Sequence, residues 1–196
     1  MKSFLLAIAI CTISISAFGQ LSKKTWLVGG SGSLYSYNED YATPNANFTS
    51  KYINIDLSAS IGYFLVNKFA CGLRPTFSSS KGESSGGGST NSYRLAIGPF
   101  ARYYFLKTDK VFNILTDVSY QFGLLQQLGA LHEKGKYNTF SLMAGTEVFF
   151  NSTAGLEILV GYKNQVTTID NSPSAFSSNK NGFQVSIGFQ LHLEKN

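Results

Sequence analysis

Apolar and polar residues alternate along most of this chain. In Ser92–Tyr104, Tyr93, Leu95, Ile97, Pro99, Ala101 and Tyr103 take one parity, and Arg94, Gly98 and Arg102 take the other. After a polar turn at Lys107-Thr108-Asp109-Lys110, Phe112, Ile114, Val118 and Tyr120 oppose Asn113, Asp117 and Ser119. Period-two alternation marks a strand with one apolar and one polar face. Lys51–Leu65, Phe69–Ser78, Asn138–Phe150, Ala154–Thr168 and Gly182–Leu193 repeat the pattern. A further strand over Thr25–Tyr37 is blurred by Gly29, Gly30 and Gly32, which leave its facing open. The strands exceed the usual soluble length of roughly 5–6 residues and suit a tilted bilayer crossing of about 9–11. Eight strands are predicted. Short turns such as Val66-Asn67-Lys68 and Asn151-Ser152-Thr153 alternate with long polar loops at 38–49, 79–91, 126–137 and 169–181. Short turns at one end and long loops at the other are the layout of an outer-membrane barrel, and an even count puts both termini on the short-turn side.

The polar face decides what the apolar face meets. It is mostly Ser, Gly, Asn, Gln and Thr, too poor in charge for a water-facing wall. Its ionic residues are Asp56, Arg74, Arg94, Arg102, Asp117, Glu147, Glu157 and Lys163, each on the parity opposite to the apolar residues of its strand. A lipid-facing Arg or Lys at mid-bilayer costs about 2–4 kcal/mol, so parity is strongly specified. Four acids and four bases suit a partnered network inside a narrow barrel. With Phe64, Phe100, Tyr104 and Phe149 also inward, eight strands leave an interior that side chains fill, and no open pore is expected. Aromatics gather near both ends of the strands, as two interfacial girdles.

Composition sharpens this picture. Of 196 residues, 14% are charged, against roughly 25% in soluble proteins. The net charge of +5 is scattered without a basic stripe, which argues against nucleic acid. Met1–Gly19 has Lys2, an apolar run to Ile15 and small residues Ala17 and Gly19, the layout of a cleaved export signal. The domain expectation is therefore a signal peptide at 1–19 and a barrel at 20–196. Cys11 falls in the leader and Cys71 on an apolar face, so no intrachain disulfide is expected. Gly86-Gly87-Gly88 lacks the strand–helix frame and the lysine of a phosphate loop. His132 and His192 stand far apart, and no metal-ligand spacing or cofactor motif is present.

The chain resembles the small eight-stranded outer-membrane barrels of the OmpA/OmpX type, and porin-family outer-membrane β-barrel domains above all. The resemblance rests on Gly62-Tyr63-Phe64-Leu65, Cys71-Gly72-Leu73-Arg74-Pro75 and Ile97-Gly98-Pro99-Phe100-Ala101-Arg102-Tyr103-Tyr104-Phe105. Ser186–Leu193 is similar to the last-strand signal read by the barrel-assembly machinery, but it ends in Leu193 rather than an aromatic, with Glu194-Lys195-Asn196 appended. The resemblance implies an antiparallel up-and-down transmembrane barrel, probed by that machinery and held in outer-membrane lipid. It implies no shared catalytic residues. A non-enzymatic, monomeric barrel serving envelope integrity or surface contact through four loops is the leading expectation, its surface ligand unspecified. A lipid-modifying barrel enzyme, a narrow channel and a soluble lipocalin-like binder are its rivals.

Overall fold

The computed structural model describes residues 21–43, 46–85, 88–128, 133–169 and 176–194. The expected export signal at 1–19 and His132 lie outside the described residues. Eight strands follow one another: β1 (Trp26–Thr43), β2 (Ala46–Val66), β3 (Phe69–Ser84), β4 (Ser89–Tyr104), β5 (Phe112–Leu128), β6 (Glu133–Phe149), β7 (Ala154–Ile169) and β8 (Phe176–Leu193). Each pairs antiparallel with its sequence neighbour, and β8 closes on β1.

The register fixes the barrel's shape. One circuit of the wall runs from Leu193 through Trp26, Tyr63, Cys71, Ala101, Val118, Leu142 and Tyr162 to Phe183. It returns to β8 ten residues from where it began, a shear of ten for eight strands. With ordinary strand spacings this gives a tilt of about 40° and a radius of about 8 Å. Each residue then rises about 2.5 Å along the barrel axis.

The parity read from the sequence holds throughout. Leu57, Ile61, Leu73, Leu95, Ile97, Phe122, Leu142, Ile158 and Ile187 stand exposed on the outer wall. Asn54, Ser60, Arg102, Asp117, Ser119, Glu147, Glu157 and Gln190 are buried inside it. A continuous apolar outer belt of this extent is foreign to a water-borne surface. The lipocalin-like alternative is thereby overturned, because the apolar faces point out. Along β4 the belt runs from Tyr93 to Tyr103, about 25 Å of axial height, the apolar height of outer-membrane barrels. Trp26 meets Tyr63 edge-on at 5.2 Å near the short turns, and Phe77 stacks on Tyr93 at 6.4 Å at the other rim.

The facing of β1, open in the sequence, is settled by its neighbours. Leu27 is fully buried, and Ser31 Oγ lies 2.7 Å from Ser58 Oγ inside the barrel. Trp26 and Leu34 are exposed outside.

The four long loops are a correction. Thr43 pairs with Ala46, Glu83 with Ser89, Gln127 with Glu133 and Ile169 with Phe176, so most of each expected loop is strand. Above the lipid both faces of a strand meet water, and the period-two contrast that reveals a strand vanishes. Backbone pairing continues regardless, because it needs no side-chain pattern.

Candidate functional site

The interior is layered. At the short-turn end lies an apolar plug of Leu21, Leu27, Phe64, Ala70, Tyr104, Leu115 and Phe149. Leu21 belongs to no strand. Its carbonyl accepts from the Lys68 amide at 2.8 Å, while the Lys24 amide donates to the Phe64 carbonyl at 3.0 Å. Asn67 Oδ1 accepts from the Lys23 amide at 2.8 Å. The Asn67–Lys68 turn, with Lys68 at a φ of 70°, thus clasps the segment ahead of β1 beneath the barrel mouth.

Above the plug sits the ionic layer. Arg74 forks onto Asp117, with Nη1 to Oδ1 at 2.6 Å and Nη2 to Oδ2 at 2.8 Å. Arg102 Nε donates to Asp117 Oδ2 at 2.9 Å. Arg102 Nη1 lies 2.7 Å from Glu157 Oε2, an ion pair without the alignment of a hydrogen bond. Gln190 Nε2 donates to the other oxygen of Glu157 at 2.9 Å. Tyr104 donates to Glu147 Oε2 at 2.6 Å, and His192 Nε2 lies 2.7 Å from Glu147 Oε1. Ser60 accepts from Arg74 Nε, and the Arg74 guanidinium stacks 4.5 Å from the Phe100 ring centroid. Two bases and three acids are therefore tied into one layer, with Tyr104 and His192 completing the bonds of Glu147.

Of the eight ionic residues singled out in the sequence, Arg74, Arg102, Asp117, Glu147 and Glu157 meet in this layer. Asp56 and Lys163 form a separate pair higher up, 3.6 Å apart. Arg94 faces the lumen above them and has no ion-pair partner among the described residues. Space beside the ionic layer amounts to about 80 Å³, room for a handful of waters and no larger solute. The sequence predicts an interior filled by side chains, but the barrel is filled only as far as the ionic layer. A cavity of about 820 Å³ opens above the layer, lined by Asn54, Asp56, Arg94, Lys163, Lys180 and Gln184 among others. Lys180 carried no signal in the sequence, since it lies in a stretch without alternation. Only the register of β8 places it inward.

The Tyr104–Glu147–His192 cluster has the residue types of acid–base chemistry. All three side chains are buried, and they are roofed by the ion pairs and floored by Phe64 and Phe149. No group of three His, Cys, Asp or Glu among the described residues is arranged to hold a metal ion. What this arrangement does chemically is close the lumen.

No family model matches the chain, and no curated protein matches it. Solved structures do. Neisserial surface protein A aligns with 85% of this chain and 96% of its own, at 13% identity and a TM-score of 0.50. The fold is that of the bacterial outer-membrane barrels. OprG from Pseudomonas aeruginosa aligns with 90% of this chain and 99% of its own, at 15% identity and a TM-score of 0.48. The N-terminal barrel domain of OprF from the same organism covers 87% of this chain and 98% of its own, at 10% identity and 0.40.

Proposed function

We propose that this chain is a plugged, non-enzymatic barrel of the bacterial outer membrane. It acts at its outer end, in envelope integrity or surface contact. In this reading residues 1–19 are removed on export and the barrel-assembly machinery reads the last strand. The mature barrel, from residue 20 to residue 196, stands as a monomer in outer-membrane lipid. The observation that carries the reading is the double closure of the lumen, an apolar plug under a bonded ionic layer. Such a layer is costly to open, since separating buried partners leaves uncompensated charge. An enzymatic reading would need substrate to reach Tyr104, Glu147 or His192, and the packing around them leaves no path. Work is left to the outer rim, where the strands continue past the lipid as four hairpins.

The test has two arms. Purified barrel in planar bilayers is expected to show no conductance steps, and steady channel openings would overturn the plug. A protease site inserted at Gly87, between β3 and β4, is expected to be cut on intact cells. Cutting only after the outer membrane is broken would place these hairpins on the wrong side.

A further inference from the structure

β1 and β8 pair only from Trp26↔Leu193 to Gly32↔Ile187. Both strands continue well beyond those residues, held by β2 and β7 on their other edges. The outer belt on β8 also continues, through Val185 to Phe183, which is 89% exposed. The wall is therefore unpaired over about the top 10 Å of the apolar belt. Unpaired backbone facing hydrocarbon is unfavourable unless something covers it.

The outer cavity reaches this seam. Elsewhere it is lined by residues of inward parity, such as Asn54, Ser80, Ser92, Arg94 and Gln165. Among the described residues, it touches residues of outward parity on β1 and β8 alone, namely Leu34, Asn181, Phe183 and Val185. The cavity thus passes through the wall, with a polar chamber on one side and apolar lips on the other. The chamber is basic: Arg94, Lys163 and Lys180 stand against Asp56. Asn54 is 4% exposed and its Nδ2 has no hydrogen-bond partner among the described residues, nor has Ser33 Oγ. Both line the chamber. A basic chamber with idle hydrogen-bonding groups, open sideways onto lipid, suits one class of occupant.

We infer that the β1–β8 seam binds an anionic single-chain amphiphile, its carboxylate or phosphate head in the chamber and its chain lying out over Leu34, Val185 and Phe183. A volume of about 820 Å³ is ample for such a head, within the usual 300–1,000 Å³ of ligand sites. Arg94 and Lys180, which have no ion-pair partner among the described residues, supply the charge. The inference rests on the plugged-barrel reading, since a head group in the chamber goes no deeper than the ionic layer.

The experiment titrates full-length mature barrel in phosphatidylcholine nanodiscs by calorimetry. The probes are oleate, 1-oleoyl lysophosphatidate and neutral monoolein. Saturable binding at one site is expected for the anionic probes, at least tenfold tighter than for monoolein. Tighter binding of oleate would point to a free fatty acid as the occupant, and tighter lysophosphatidate to a membrane phospholipid. The Arg94→Gln/Lys180→Gln double variant is expected to weaken the anionic probes tenfold or more. Gly182→Trp puts a bulky ring into the chamber from a position where an added Cβ has open space around it, and is expected to abolish binding. Each variant is first checked for its heat-dependent gel shift, so that loss of binding is read only on a folded barrel. Equal uptake of oleate and monoolein, or binding indifferent to both variants, would overturn the seam site. Bilayer conductance of the same preparation is read separately, so an open pore would count against the plug and not against the seam.

Discussion

Single side chains differ greatly in what they hold in place. Arg102 is 1% exposed, hydrogen-bonded to Asp117 and ion-paired with Glu157. Arg102→Met keeps the volume but leaves buried Glu157 without its cation and Asp117 with Arg74 alone, and should cost about 3–5 kcal/mol, read as a lowered urea midpoint in lipid vesicles. Lys81 and Glu83 form an ion pair at 2.6 Å on the outer hairpin, both well exposed. The hydrogen bond and charge of Lys81 hold the Glu83 carboxyl below its ordinary range. Any stabilisation from it is present at neutral pH and fades as pH falls through that lowered value. Exposed pairs contribute little, so Lys81→Ala should leave the midpoint unmoved. Gly98 answers to space rather than charge. A Cβ there would land on the Tyr120 carbonyl, a backbone atom that cannot swing aside. Gly98→Ala should therefore destabilise by about 1–3 kcal/mol in the same assay. The sequence made Arg102 visible through its parity, because an ionic residue amid apolar neighbours must face inward. It could not show which acid Arg102 meets, since that depends on the shear. His192 was legible as an inward filler, but its bond to Glu147 spans 45 residues and two strand interfaces.

Elements were legible wherever one face met lipid and the other did not. β2, β4 and β8 announced themselves by contrast between parities, and their turns by Asn67-Lys68 and Asn151, whose side chain accepts from the Thr153 and Ala154 amides. The outer halves of the same strands were missed because water bathes both faces there. The incomplete β1–β8 pairing left no trace in the sequence either. Leu34 and Val185 look like any other belt residues. Hydrogen exchange reports on it directly. Above Gly32, every second amide of β1 is directed at β8 and should exchange fast, while the alternate amides, bonded to β2, stay protected. Uniform protection along β1 would mean that the seam is zipped shut.

At the scale of the whole molecule, closure gives one cooperative wall with a weak stretch in it. The barrel should resist SDS until heated, running at a different mobility before and after boiling. A single unshifted band would deny the closed wall. The lock at the inner mouth has a practical side. Leu21 is anchored under the Asn67–Lys68 turn with its side chain buried among Leu27, Phe64 and Leu115. The first residues ahead of β1 are therefore a cork rather than a leash. A tag fused tightly against Leu21 would pull on that cork, whereas one set between β3 and β4 lies at the other end of the barrel, away from it. Anyone displaying a peptide on this scaffold should leave the inner end untouched and build outward from the rim.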